Sequence, residues 1–210
     1  MQSYAGLVLF SIVGHFISVR WGLDPGPIAP LASAATLLCG CAAIFLPYLS
    51  GDAKRRSWVV VALLAAGASI ELIGISTGYP FGHYAYTDKW QPVLHLSVGW
   101  FPLLVPFAWL LVVGGSYFSI STWIAPGWSV LAAGLVGSLL DALMEPVMTN
   151  RLHYWQWRGD AVPLQNFLAW FFMVTLAAWT LSRSTSQVDP RPARIVLLGQ
   201  VVLILAFAAV

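Results

Sequence analysis

Long apolar segments separated by short polar loops are the feature that most restricts how this chain can fold. Seven of them occur, at about residues 4–19, 28–49, 57–78, 98–118, 122–147, 163–182 and 193–210. A helix needs about 20 mainly apolar residues to cross a bilayer. The sequence therefore predicts an all-α fold, a polytopic transmembrane helix bundle with about seven spans that forms a single integral membrane domain over residues 1–210.

The scarcity of charge supports a chain that lies almost wholly in the bilayer. Charged residues make up 9% of the sequence and hydrophobic residues 59%, whereas soluble domains carry about 25% charged residues. The net charge of +2 does not favour a nucleic-acid partner, so membrane lipid is the expected surrounding. No pattern in the sequence indicates an oligomeric state.

Basic residues in the loops predict the orientation, since cytoplasmic loops carry an excess of Lys and Arg. With seven spans, six basic residues fall on the face of the N-terminus: Lys54, Arg55, Arg56, Arg183, Arg191 and Arg194. The other face holds Arg20, Lys89, Arg151 and Arg158. We therefore predict a multi-pass protein of the cell inner (cytoplasmic) membrane with a cytoplasmic N-terminus.

Three carboxyl groups lie inside predicted spans, namely Glu71, Asp141 and Glu145. Ionisable residues inside a membrane are costly and usually face the interior of the bundle. In each of the two spans, small residues share one helix face with the acids: Gly67, Glu71, Gly74 and Gly78 in the third, and Gly134, Ser138, Asp141 and Glu145 in the fifth. If the two faces meet, the acids cluster near one end of the bundle; the alternative is that each acid is a polar staple between helices.

Clustered carboxyl groups in an apolar site cannot all ionise, so at least one stays protonated near neutral pH. Such a group is the kind of proton donor that an unactivated alkene requires. The carbocation that results is stabilised by the faces of aromatic rings.

The loops that open on the same side as the acids supply aromatic and polar side chains. Candidate substrate-binding residues there are Tyr79, Phe81, His83, Tyr84, Tyr154, Trp155 and Trp157. Asn166 and Trp170 add a further pair, four residues apart on one face of the sixth segment. The alternative for any single ring is the aromatic belt found at membrane interfaces.

Other chemistries lack their motifs. The four histidines have no metal-ligand spacing, so we expect no metal site. There is no P-loop, no GxGxxG motif in a strand context and no GxSxG motif. Both lysines lie in loops, which argues against a retinal Schiff base.

Several of these motifs together resemble a known family. Residues 77–86 read TGYPFGHYAY, residues 141–146 read DALMEP, residues 154–157 read YWQW, and Glu71, Pro163, Asn166 and Trp170 complete the pattern. Over about residues 67–172 the chain resembles the CruF-type carotenoid biosynthesis proteins. These are membrane carotenoid 1',2'-hydratases, which include the bisanhydrobacterioruberin hydratases.

The resemblance implies a hydro-lyase that adds water to the terminal isopropylidene double bond of an acyclic carotenoid. Protonation gives a tertiary cation, water captures it as a 1'-hydroxy group, and no redox cofactor is needed. From chemistry and position we expect Glu71 or Asp141 to be the general acid. The partner acid, or Glu145, then deprotonates the water. Separately, the small number of acidic residues in the chain favours a bacterial protein that acts on a forty-carbon substrate such as lycopene.

Two alternatives remain open from the sequence. One is a membrane lycopene cyclase, which uses the same protonation step but captures the cation with an internal double bond. The other is a non-enzymatic carotenoid- or lipid-binding membrane protein in which the acids are structural.

Overall fold

The apolar segments form helices because a backbone in the bilayer must satisfy its own hydrogen bonds. The computed structural model describes residues 1–50, 52–159, 161–184 and 188–209. Over these residues there are seven helices: α1 Gln2–Trp21, α2 Ile28–Leu49, α3 Ala53–Thr77, α4 Val105–Ile120, α5 Pro126–Asn150, α6 Leu164–Ser184 and α7 Arg191–Ala208. The predicted all-α polytopic bundle is confirmed. Val210, which ends the predicted seventh segment, and Asp160 lie outside the described residues.

Six of these seven helices are long and apolar enough to cross a membrane, and α4 is the exception in the described part of the chain. α4 has 16 residues, which at 1.5 Å per residue spans about 24 Å. It lies at the centre of the bundle, packed against α2, α3, α5, α6 and α7, and every residue over 109–119 is buried. Because neighbouring helices surround α4, it does not meet the lipid over the full thickness of the membrane.

The predicted fourth segment began at residue 98, and this boundary is wrong. Residues Gly99–Pro102 form strand β3, which pairs antiparallel with β2, Val93–Leu96. Gly99 has φ +125°, a backbone angle that favours glycine, and it follows the two-residue loop of this hairpin. The sequence of the hairpin is about as apolar as that of a membrane helix, so hydropathy alone does not distinguish the hairpin from the start of α4.

The sequence left open whether the two small-residue faces meet, and in the structure each packs against other partners. The small residues of α5 pack against α6: the Ser138 hydroxyl donates to the Phe167 carbonyl oxygen at 2.8 Å. A Cβ added at Gly137 would lie 2.8 Å from the Val174 side chain. The small residues of α3 instead make room for aromatic side chains, as described below, because a ring needs the same space that a close helix contact would use.

A second short ribbon joins the loops after α3 and α5. Strand β1, Tyr84–Tyr86, pairs antiparallel with β4, Trp155–Trp157, so that Tyr84 lies opposite Trp157 and Tyr86 opposite Trp155. This ribbon covers one end of the bundle formed by α3, α4, α5 and α6. It therefore brings together the two aromatic loops that the sequence places far apart.

Candidate active site

The alternation of side chains along β1 and β4 directs four aromatic groups to one face of the ribbon. Successive side chains of a strand point to opposite faces, so Tyr84 and Tyr86 share a face with Trp155 and Trp157. Ala85 and Gln156 occupy the other face and are exposed. The ribbon thus presents two hydroxyl groups and two indole N–H groups toward the helix ends.

Glu71 receives hydrogen bonds on both of its carboxyl oxygens. The hydroxyls of Tyr84 and Tyr86 donate to Oε2 at 2.6 and 3.0 Å. The Nε1–H of Trp109, in α4, donates to Oε1 at 2.8 Å. Glu71 is 5% exposed; burial disfavours its ionised form, and the three donors offset part of that cost.

Two glycines on α3 explain why these donors reach Glu71. A Cβ added at Gly74 would lie 2.5 Å from the hydroxyl oxygen of Tyr84, and one added at Gly67 would lie 3.1 Å from the Cβ of Trp109. Real Cβ atoms essentially never show the first distance. The small residues around Glu71 therefore leave space for the tyrosine hydroxyl and the indole N–H that donate to it.

Glu145 is held by the other strand of the ribbon. The indole N–H groups of Trp155 and Trp157 donate to its Oε2 at 3.1 and 2.9 Å. Asp141 lies one helical turn earlier in α5, is 2% exposed, and accepts a hydrogen bond from the Asn166 side-chain amide at 2.6 Å. The three acids thus differ in their donors: two hydroxyls and one indole at Glu71, two indoles at Glu145 and one amide at Asp141.

The two ribbon tyrosines remain protonated over a wide pH range. Burial, together with the neighbouring Glu71 carboxylate, raises the pKa of Tyr84 and of Tyr86 above the ordinary tyrosine value. Both hydroxyls therefore act as hydrogen-bond donors near neutral pH.

The three acids line a single cavity of about 70 Å³. Its remaining lining is aromatic, aliphatic or amide: Phe81, Tyr84, Tyr86, Trp90, Val105, Ala108, Trp109, Val112, Met144, Trp155, Trp157, Asn166 and Trp170. Trp109 and Trp170 stack face to face, with ring centroids 3.9 Å apart and an angle of 6° between the rings. No basic side chain occurs among these described lining residues, so the acids face mainly aromatic and aliphatic walls.

A larger cavity of about 990 Å³ lies at the opposite end of the bundle. Tyr117, Trp179 and Arg183 are part of its lining, and Asp189 is the one acid among the described residues that line it. Despite the size of this cavity, the described part of its lining does not contain a group of carboxyls like that of the smaller cavity. We therefore take the smaller cavity as the candidate active site.

Three of the predicted substrate-binding residues do not line this cavity. Tyr79 follows the end of α3 and is 73% exposed, and His83 is also exposed. Tyr154 stacks on Trp90, with ring centroids 5.3 Å apart, so it lies behind a ring that does line the cavity. The strand alternation accounts for two of these placements, because His83 and Tyr154 precede β1 and β4 and do not share the inner face of the ribbon.

The other predicted residues do line it, and the cavity adds rings that we did not predict as site residues. Phe81, Tyr84, Trp155, Trp157, Asn166 and Trp170 lie in the lining beside the three acids. Tyr86, Trp90 and Trp109 are the additions. Aromatic residues alternate with other residues over 84–86 and 155–157, a strand pattern that places Tyr86 on the same face as Tyr84. Trp109, by contrast, lies in an apolar run where no sequence signal sets it apart.

Comparison with known proteins agrees with the earlier resemblance and extends it along the chain. The family described as "Carotenoid biosynthesis protein" matches residues 32–210. A bisanhydrobacterioruberin hydratase from Haloarcula japonica is 29% identical over an aligned length of 188 residues, and the match covers 81% of this chain and 61% of that protein. The chain thus spans less than two thirds of the length of this curated relative, and no solved structure matches. Because the family match covers well over half of the sequence, this membrane protein belongs to the carotenoid biosynthesis protein family.

Proposed function

We propose that this protein is a carotenoid hydratase that adds water to the terminal isopropylidene double bond of an acyclic carotenoid. The observation that carries the proposal is the cavity, in which three buried carboxyl groups face aromatic and aliphatic walls. The name of the Haloarcula japonica relative, a hydratase, supports the same reaction class. We also propose that residues 1–210 form one integral membrane domain.

Asp141 is the proposed proton donor. Among the three acids it has the fewest hydrogen-bond donors, with one amide contact from Asn166, and it is 2% exposed. Closely spaced carboxyls in a buried site cannot all ionise, and the acid with the least support for its charge is the one that keeps its proton. Asp141 therefore transfers a proton to the less substituted alkene carbon and becomes a carboxylate.

Glu71 and the aromatic walls stabilise the tertiary cation formed by this transfer. In this mechanism Glu71 is ionised and its charge is oriented by three donors, and a charge placed beforehand costs no reorganisation during the reaction. The stacked indoles of Trp109 and Trp170 present ring faces, which attract cations. The ring faces supply no nucleophile, and the hydrogen bonds on both oxygens of Glu71 make its carboxylate a poorer nucleophile, which favours capture of the cation by water.

Glu145 is the proposed base for the water molecule. Its Oε2 is occupied by two indole donors, which leaves Oε1 to accept a proton from water. The water oxygen bonds to the tertiary carbon, its proton passes to Glu145, and a later transfer from Glu145 restores the proton on Asp141. The sum is one water added to one double bond, with all three acids returned to their starting states.

The proposal is tested by expressing the protein in a host that accumulates an acyclic carotenoid and growing the cells in oxygen-18 water. We expect a pigment that has gained one water and carries the label in a tertiary hydroxyl. Oxygen drawn from molecular oxygen rules out hydration. Unchanged pigment that copurifies with the protein instead indicates a carotenoid-binding protein.

We also propose that the N-terminus is cytoplasmic and that the active-site cavity opens toward the opposite membrane face. Six of the ten Lys and Arg residues fall on the side of the N-terminus, in agreement with the positive-inside rule. A reporter enzyme that works only in the cytoplasm should be active when it is fused to the N-terminus. If the N-terminal fusion is active only with a reporter that works outside the cytoplasm, the orientation is the reverse.

A further inference from the structure

The tertiary cation at the end of an acyclic carotenoid can react in two ways. A water oxygen can bond to it and lose a proton, which gives a tertiary alcohol. Alternatively, the chain folds back, the electron pair of an internal double bond forms a carbon–carbon bond to the cation, and a neighbouring carbon loses a proton. The second route closes a six-membered ring and adds no mass, so the two routes differ in the space that they require.

The cavity is small compared with the ring that the second route forms. Its volume is about 70 Å³, whereas an apolar cavity that binds benzene measures about 150 Å³. A carotenoid end ring carries additional methyl groups and is larger than benzene. A chain folded into a ring is wider than an extended chain end, so the walls of this cavity exclude the folded chain more strongly than the extended one.

Among the described lining residues, four aliphatic side chains line the cavity without donating to any of the acids, namely Val105, Ala108, Val112 and Met144. Of these, Ala108 carries only a methyl group and Val105 is the first residue of α4, so Val112 and Met144 are the two chosen for substitution. Val112 projects from α4 and is 7% exposed, and Met144 projects from α5 between Asp141 and Glu145 in sequence. By contrast, most of the aromatic and amide walls donate hydrogen bonds to Glu71, Glu145 or Asp141. Val112 and Met144 can thus be shortened without removing a donor from an acid.

We infer that the bulk of Val112 and Met144 determines that water, rather than the substrate's own double bond, captures the cation. This inference rests on the proposed hydratase function and names its specificity-determining residues. The same protonation in a wider cavity yields a cyclic end group. The reaction class of this site is therefore set by cavity volume as well as by its acids.

The test compares two double variants in a host that makes an acyclic carotenoid. Val112→Ala with Met144→Ala enlarges the cavity by removing aliphatic atoms from its wall. The matched control is Val113→Ala with Met148→Ala, which removes the same atoms from neighbouring core positions that, among the described residues, do not line the cavity. Membrane accumulation and detergent-solubilised thermal stability are measured for both, so that loss of folding is recognised.

We expect the enlarged variant to form a cyclic product with unchanged mass. Because one methylene in an apolar pocket changes discrimination by roughly 10-fold or more, the ratio of cyclic to hydroxylated product should rise at least about 10-fold over wild type. The control should keep the wild-type ratio. An enlarged variant that accumulates like the control and yields only hydroxylated product overturns the inference, while wild-type cells with no hydroxylated product overturn the hydratase function and this inference with it.

Discussion

The hydrogen bond from Tyr84 to Glu71 can be tested with a single substitution, because Tyr84→Phe removes only the oxygen atom that donates it. The Tyr84 hydroxyl donates to Glu71 Oε2 at 2.6 Å. A hydrogen bond to a charged group contributes about 1.5–3 kcal/mol. If Glu71 stabilises the cation as a carboxylate, Tyr84→Phe weakens that stabilisation while it keeps the ring that packs against Trp157.

The expected kinetic effect follows from that energy. Because the bond is already present before substrate binds, its loss acts on the rate through the cost of keeping Glu71 ionised. A cost of about 1.5–3 kcal/mol incurred as the cation forms lowers kcat/KM by up to about 10- to 150-fold. The acidic limb of the pH–activity profile should also move to higher pH, since a carboxylate that has lost a donor takes up a proton more readily. The assay follows hydroxylated carotenoid formed by purified protein in lipid nanodiscs across a range of pH.

Tyr48→Phe is the matched control for Tyr84→Phe. Tyr48 is fully buried, and its hydroxyl lies 2.6 Å from Ser184 Oγ, outside the cavity. We expect this variant to lose about 0.5–1.5 kcal/mol of stability, as for a neutral hydrogen bond, with no change in the pH profile. The reasoning is refuted if Tyr84→Phe lowers thermal stability like the control but leaves both kcat/KM and the pH profile at wild-type values.

Two further predictions concern the packing and the protonation of this site. Gly74→Ala places a Cβ 2.5 Å from the Tyr84 hydroxyl oxygen, so we expect a loss of about 1–3 kcal/mol of stability from overpacking together with lost activity. Gly14→Ala is the control: nothing lies within 4 Å of the added Cβ, so it should stabilise its helix by up to about 1 kcal/mol. Equal melting temperatures for the two variants would argue against close packing of Tyr84 on Gly74. Burial and the Glu71 carboxylate raise the pKa of Tyr84 and Tyr86, so the stability that their protonated hydroxyls contribute is present below the unfolded value of about pH 10 and lost as pH rises beyond it. Thermal midpoints measured from pH 8 to 12 should therefore fall above pH 10 in the wild type and fall less in a variant with both tyrosines changed to phenylalanine.

The sequence predicted the fold class because hydropathy and the bilayer together determine it. The predicted bounds of the second segment, 28–49, coincide with α2, where turn residues on both sides limit an uninterrupted apolar run. The fourth segment was less accurate because an apolar hairpin precedes α4. Hydropathy responds to burial and to lipid in the same way, so it does not distinguish a buried strand from the start of a helix.

The grouping of Glu71, Asp141 and Glu145 was expected from their positions in the spans, but its cause differs from the one we expected. Helix-to-helix contact of small residues does not bring the acids together. The ribbon of β1 and β4 links two of them, because one strand holds Glu71 and the other holds Glu145, and Asp141 lies one turn from Glu145 in α5. Three-residue strands carry too little periodicity to be predicted with their partners, so the pairing of distant loops emerged only from the structure.

Trp109 shows the limit of sequence reasoning at this site. It lies in a helix that is buried on all sides, and its neighbours in the sequence are apolar. Its role follows from two contacts with residues distant in the chain, the hydrogen bond to Glu71 and the stack on Trp170. Long-range contacts of this kind leave no trace in local composition.

The proton donor is the central claim, and replacing Asp141 with asparagine tests it most directly. Asp141→Asn keeps the size of the side chain and removes the transferable proton. General acid catalysis contributes about 10²- to 10⁴-fold in rate, so we predict that labelled hydroxyl formation in oxygen-18 water falls by at least about 10²-fold. The protein should still accumulate in the membrane. Product formation within a few fold of wild type by this variant would contradict the account.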